Sequence, residues 1–100
     1  MHLPYIPKRF YKTAKASLGY EWVWTRWLLK RGDTIASVEV IADGLTVSDV
    51  SHAAGIVTAK LGGGVLKSTY TATCKITTTG TGPAGVLTND RSIIITIRAM

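Results

Sequence analysis

A single cysteine, Cys74, excludes a disulfide within the chain, so folding needs no oxidising compartment. Histidine is nearly as scarce. His2 and His52 are the only two, and with one cysteine they cannot supply the clustered ligands of a zinc site. A Ser-His-Asp relay can be drawn only through Ser51, His52 and Asp49, which are near neighbours on one predicted turn, whereas such relays are normally assembled from separate elements. The sequence therefore predicts no enzyme, no metal and no cofactor, and His52 reads as a solvated turn residue. No uninterrupted apolar run approaches the roughly 20 residues that a membrane helix requires. Residues 1–7 lack an apolar core of signal-peptide length and are interrupted by Pro4 and Pro7. These absences point to a chain made and folded in the cytoplasm, without a membrane partner. The triplet Gly62, Gly63 and Gly64 has no helical pattern after it, so it reads as a turn rather than a phosphate cradle.

What the chain does have is a positive charge confined to one end. Lys8, Arg9, Lys12, Lys15, Arg26, Lys30 and Arg31 face only Glu21 within the first 31 residues. Beyond them, five cations are matched by five carboxylates. Long-range attraction to an acidic partner must therefore arise near the N-terminus. Residues 1–17 mix prolines and cations with Tyr5, Phe10 and Tyr11, and show neither helical period nor strand alternation. They are expected to form an extended arm, with the domain proper at residues 18–100. Such aromatics gain from an apolar groove. The arm is read either as docking on another subunit or partner, or as folding back over its own domain to cover an edge. Tyr5, Ile6, Lys8, Arg9, Phe10, Tyr11 and Lys12 are the candidate partner-binding residues.

Residues 20–29 fit two periods. Tyr20, Trp24, Trp27 and Leu28 lie at helical spacing, while Tyr20, Trp22 and Trp24 share one face of a strand. Aromatic content favours a short strand ending in one tight turn over residues 25–28. From Thr34 onward the pattern is β throughout, with no helix expected after Leu29. Val38 and Val40 alternate with Ser37 and Glu39, and Ala42-Asp43-Gly44 predicts a turn into Leu45 and Val47, hence a hairpin. Val57, Ala59 and Leu61 define one strand face. Tyr70, Ala72, Cys74 and Ile76 define the next, which makes Cys74 a buried small hydrophobe. Ile93, Ile95 and Ile97 line the last strand after a segment over residues 79–89 whose three glycines and Pro83 predict a mobile loop. That strand is aggregation-prone if its edge is bare, so it is expected to be central or covered. Six or seven short strands predict an all-β sandwich or small barrel. In so small a domain, at least two of Trp22, Trp24 and Trp27 are expected in the core or a subunit interface.

The elements Gly19-Tyr20-Glu21-Trp22, Trp27-Leu28, Gly32-Asp33-Thr34-Ile35, Gly44-Leu45-Thr46, the Thr-rich strand from Tyr70 to Thr78 and Asp90-Arg91-Ser92-Ile93 occur in an order that resembles the small Ig-like virion proteins of tailed bacteriophages, the phage fiber-tail adaptor family. The resemblance covers residues 19–98. It implies a small Ig-like β-sandwich of 6–7 strands and a structural adaptor without catalytic residues. It also implies a virion location, assembly in the host cytoplasm, and several copies in a symmetric array. Its partners would be other virion proteins: tail, neck or baseplate and fiber subunits. The long basic lead and the long loop over residues 79–89 depart from the family pattern, which implies partner contacts of this chain's own. Two alternatives follow from the residues. The basic, aromatic arm could grip nucleic acid, or an exposed tryptophan could stack on a glycan.

Overall fold

The computed structural model describes residues 8–99. Seven strands and one short helix follow in the order β1 (Lys8–Lys12), β2 (Ser17–Val23), α1 (Thr25–Arg31), β3 (Ile35–Ile41), β4 (Thr46–Ala53), β5 (Ile56–Gly62), β6 (Thr69–Thr78) and β7 (Thr88–Ile97). They form two sheets, one in the order β1-β7-β6-β3 and one in the order β2-β5-β4. This is an all-β sandwich, as expected. Its core lies where the alternating apolar faces meet. Tyr20 and Trp22 of β2 and Val57, Ala59 and Leu61 of β5 are buried together with Ala72, Cys74 and Ile76 of β6 and Ile93, Ile95 and Ile97 of β7. A buried Ile or Leu side chain contributes about 1.5 to 3 kcal/mol. Ile76 of β6 and the three isoleucines of β7 therefore place much of this burial in one antiparallel pair.

The closing strand is central, as its composition demands. β7 pairs with β6 from Thr88↔Thr77 to Thr96↔Thr69 on one side, and with β1 in parallel from Lys8↔Ile93 to Lys12↔Ile97 on the other. Residues 8–12 thus complete the sheet of their own chain and cover part of its isoleucine-rich strand.

Two expectations are corrected. The tight turn predicted over residues 25–28 is instead a helix, Thr25–Arg31, which runs past Leu29. A seven-residue helix does not stand alone; here the rest of the fold holds it. The Trp24 N–H donates to the Gly55 carbonyl at 2.8 Å and the Thr25 hydroxyl to the Ala54 carbonyl at 2.9 Å, so the β4–β5 turn braces its start. Its end is closed by Gly32 in the left-handed conformation, with the Gly32 and Asp33 N–H groups returning to Leu29 and Leu28 carbonyls. Trp24 and Leu28, one helical turn apart, are both buried, which explains why two periods overlapped here.

The hairpin predicted around Ala42-Asp43-Gly44 does not form. β3 pairs with β6 and β4 with β5, so the chain crosses from one sheet to the other at this turn. Gly44, at φ 88°, passes so close over the Tyr70 ring that a Cβ would fall within 3 Å of it. The local pattern is that of a hairpin, but β3 and β4 find better partners elsewhere. The true hairpin joins β4 to β5 through Ala54 and Gly55, and β4 carries a bulge between Ser48 and Ser51 at Asp49 (φ 51°).

Candidate interaction surface

The helix changes where the positive charge lies. Arg26 and Lys30 stand four apart and so share one face of α1, a neighbourhood that a strand would not create. The Arg31 guanidinium lies 4.2 Å over the Trp27 ring and donates to the Trp27 carbonyl at 3.1 Å. From β7, Arg91 lies 4.3 Å over the Trp24 ring and donates to the Val23 carbonyl at 2.9 Å. These side chains surround a cleft of about 460 Å³ lined by Val23, Arg26, Trp27, Lys30, Arg31 and Arg91. Among the described residues, four cations line it and no carboxylate does. The sequence reading missed this cluster because it took residues 25–28 for a turn, although the i, i+4 spacing of Arg26 and Lys30 was its available signal.

On another side of α1 lies a more apolar cleft of about 420 Å³, lined by Leu28, Leu29 and Ile35, by His52 and Ala53 at the end of β4 and by Ala54 of the β4–β5 turn. Leu29 lines this cleft and is 80% exposed. His52 lies on β4 rather than on the predicted turn, and is exposed. Its would-be relay partners are engaged elsewhere: the Ser51 hydroxyl with the Thr58 hydroxyl at 2.9 Å, and the Asp49 carboxylate with Lys60 at 3.3 Å.

Asp33, buried at the wall of this cleft, ties the helix end to the β6–β7 loop. Its Oδ1 accepts from the Thr34 N–H (2.9 Å), the Thr79 hydroxyl (2.8 Å), the Gly80 and Thr81 N–H groups (3.2 Å each) and the Thr81 hydroxyl (3.0 Å). Burial alone would push its carboxyl up, but the donors from Thr34, Thr79 and Thr81 outweigh it and hold the group well below the usual carboxylate range. The mobile loop expected over residues 79–89 is therefore tied to the body, and its last two residues, Thr88 and Asn89, already belong to β7. The same loop passes the helix end so closely that a Cβ on Gly82 would strike the Arg31 carbonyl oxygen.

The candidate arm residues divide between the sheet and its surface. Phe10 packs edge-on against Tyr20 at 5.1 Å, and Lys12 is buried. The Lys12 ammonium donates to the carbonyls of Thr13 (2.7 Å), Ala16 (3.0 Å) and Gly63, while burial lowers its affinity for the proton. Lys8, Arg9 and Tyr11 face outward, and Arg98 lies 4.0 Å over the Tyr11 ring. Between β1 and β2, Lys8, Phe10 and Tyr11 border a groove of about 520 Å³ with Leu18, Tyr20 and Glu21. Tyr5 and Ile6 lie outside the described residues. Of the tryptophans, Trp22 and Trp24 are buried in the core, and Trp27 is half-buried beneath Arg31. Cys74 is fully buried, and burial pushes its thiol up, against smaller downward pulls from the Trp24 indole and the Arg91 charge.

Residues 12–96, from the last residue of β1 to near the end of β7, match the protein family described as podophage GP4 fiber-tail adaptor protein gp77. The chain belongs to this family. No curated protein matches it at a significant level. The adaptor is accordingly a structural bacteriophage protein of the tail-fiber kind. The family match leaves out residues 8–11, so most of β1, with Lys8 and Arg9, lies outside the shared segment.

Proposed function

We propose that this adaptor joins the tail, neck or baseplate of a phage particle to its fibers or spikes through protein-protein contacts, in several symmetric copies, without catalysis, after assembly in the host cytoplasm. The family match over residues 12–96 carries this reading. Symmetric repetition follows from the economy of closed assemblies.

In this reading Tyr5, Ile6, Lys8, Arg9 and Tyr11 meet a neighbouring virion protein, while Phe10 and Lys12 anchor the strand that presents them. Trp27 is the tryptophan with surface left for an interface. The test is quantitative mass spectrometry of purified particles of the phage that encodes the chain, before and after DNA ejection. The adaptor should remain with the emptied particle at a fixed multiple of tail symmetry. A chain lacking residues 1–7, which keeps all of β1, should melt within a few degrees of the full chain but be incorporated at reduced copy number. Absence from particles, or loss together with the DNA, sinks the adaptor reading; full incorporation of the truncated chain removes the role of Tyr5 and Ile6.

A further inference from the structure

The cleft between α1 and β7 gathers charge of one sign. Arg26 and Lys30, one turn apart on α1, repel each other, and like charges at this spacing destabilise a helix. Arg31 and Arg91 add to the same field, and among the described residues that line the cleft none is a carboxylate. The two guanidinium groups lie flat on indole rings and are tethered to the Trp27 and Val23 carbonyls. They are therefore held in place before any ligand arrives, and planar guanidinium groups suit the paired oxygens of a carboxylate.

We propose that this cleft receives an acidic segment of a partner virion protein, a run of Asp and Glu side chains seated against Arg26, Lys30, Arg31 and Arg91. Charge complementarity selects the occupant, and the stacking selects a protein over nucleic acid. The Trp24 and Trp27 rings already carry a guanidinium 4.2 to 4.3 Å above one face, so they do not offer bases an open stacking platform. Assignment to a protein rests on the adaptor reading above, since the partners of an adaptor are other virion proteins. The cleft adds the chemistry of one of them.

The test is titration of the purified full-length chain with a polyglutamate peptide and, separately, with duplex DNA, at about 0.15 M salt, where weak surface attractions are screened. Intrinsic tryptophan fluorescence reports occupancy beside Trp27. The double variant Arg26→Glu with Lys30→Glu alters two exposed side chains and should weaken peptide binding by at least about tenfold. Lys15→Glu with Lys67→Glu changes net charge equally, away from the cleft, and should weaken it less than about threefold. If the charge reversals impair folding, Arg26→Gln with Lys30→Gln replaces them, checked by thermal melting. Equal losses in the two doubles, no peptide binding at all, or DNA bound more tightly than peptide through Arg26 and Lys30 would each overturn the proposal. Particle incorporation separates the two readings: a chain that enters particles yet binds no peptide leaves the adaptor standing without this cleft. One that binds peptide but never enters particles leaves the cleft without the adaptor.

Discussion

Two buried ionic residues show how single side chains secure segments that lack regular structure. Asp33 gathers five donors onto one oxygen and thereby fixes the β6–β7 loop to the end of α1. Replacing it by alanine strands those donors and should lower the melting temperature by more than about 5 °C. The folded-state carboxyl is held below its ordinary value of about 3.8. Its contribution is therefore complete above that pH and is lost as pH falls through it toward the folded value. Melting curves of the native chain and Asp33→Asn should differ by a constant amount above about pH 5 and draw together progressively as pH falls below about 4; a gap that does not narrow at all in acid would mean that the charge is not what the loop uses. Lys12 does the converse with a cation, donating to three carbonyls of the β1–β2 turn and the glycine triplet. Lys12→Met keeps the length of the stem but leaves those carbonyls without their donor. Chemical denaturation should show a loss of about 1 to 3 kcal/mol.

At the scale of elements, α1 and the β6–β7 loop hold each other in place. A seven-residue helix with no side-chain cap at its start depends on the β4–β5 turn, on its Gly32 terminus and on burial of Trp24 and Leu28. The loop closes over its last carbonyls. Gly82→Ala places a methyl group against the Arg31 carbonyl oxygen, so either loop or helix must move, at a cost of about 1 to 3 kcal/mol. Stability measured by denaturant should fall while the circular-dichroism signal of the sheets is kept. An alanine variant as stable as the native chain would show that the loop does not sit on the helix end. This packing also gathers the four cations, because only the helical rise puts Arg26 and Lys30 on one face beside Arg91 of β7.

For the whole molecule, stability is distributed unevenly between the sheets. β6 and β7 are paired on both sides and bury the isoleucines, whereas β4 is an edge strand with one half-buried position and every other residue exposed. Native-state hydrogen exchange should reach the amides of Ile93, Ile95 and Ile97 last and those of the β4 edge early. Fast exchange at Ile95 in the intact protein would contradict the central placement of β7. An adaptor gains from such a division: a firm sheet carries β1 and the cationic cleft, while the exposed edge remains open to a partner.

The alternation of Val57, Ala59 and Leu61, of Ala72, Cys74 and Ile76, and of Ile93, Ile95 and Ile97 determined three strands and their buried faces from sequence alone. A period of two is a local property that survives into the fold. The ordered motifs from Gly19 to Ile93 likewise pointed to the adaptor family that residues 12–96 match. Tertiary structure decided the rest, because those choices depend on which surfaces compete. Residues 20–28 carried both periods, and burial of Trp24 and Leu28 against the core chose a helix after Trp24. The Ala42-Asp43-Gly44 turn suited a hairpin, but the pairing available to β3 on β6 and to β4 on β5 sent the two strands to different sheets. The parallel pairing of β1 with β7 joins the two ends of the chain, and no local pattern encodes so distant a contact. Nor could residue types alone show that Lys12 would be buried among carbonyls while Arg26, Lys30, Arg31 and Arg91 came together, since charge is read from sequence but its neighbours are set by packing.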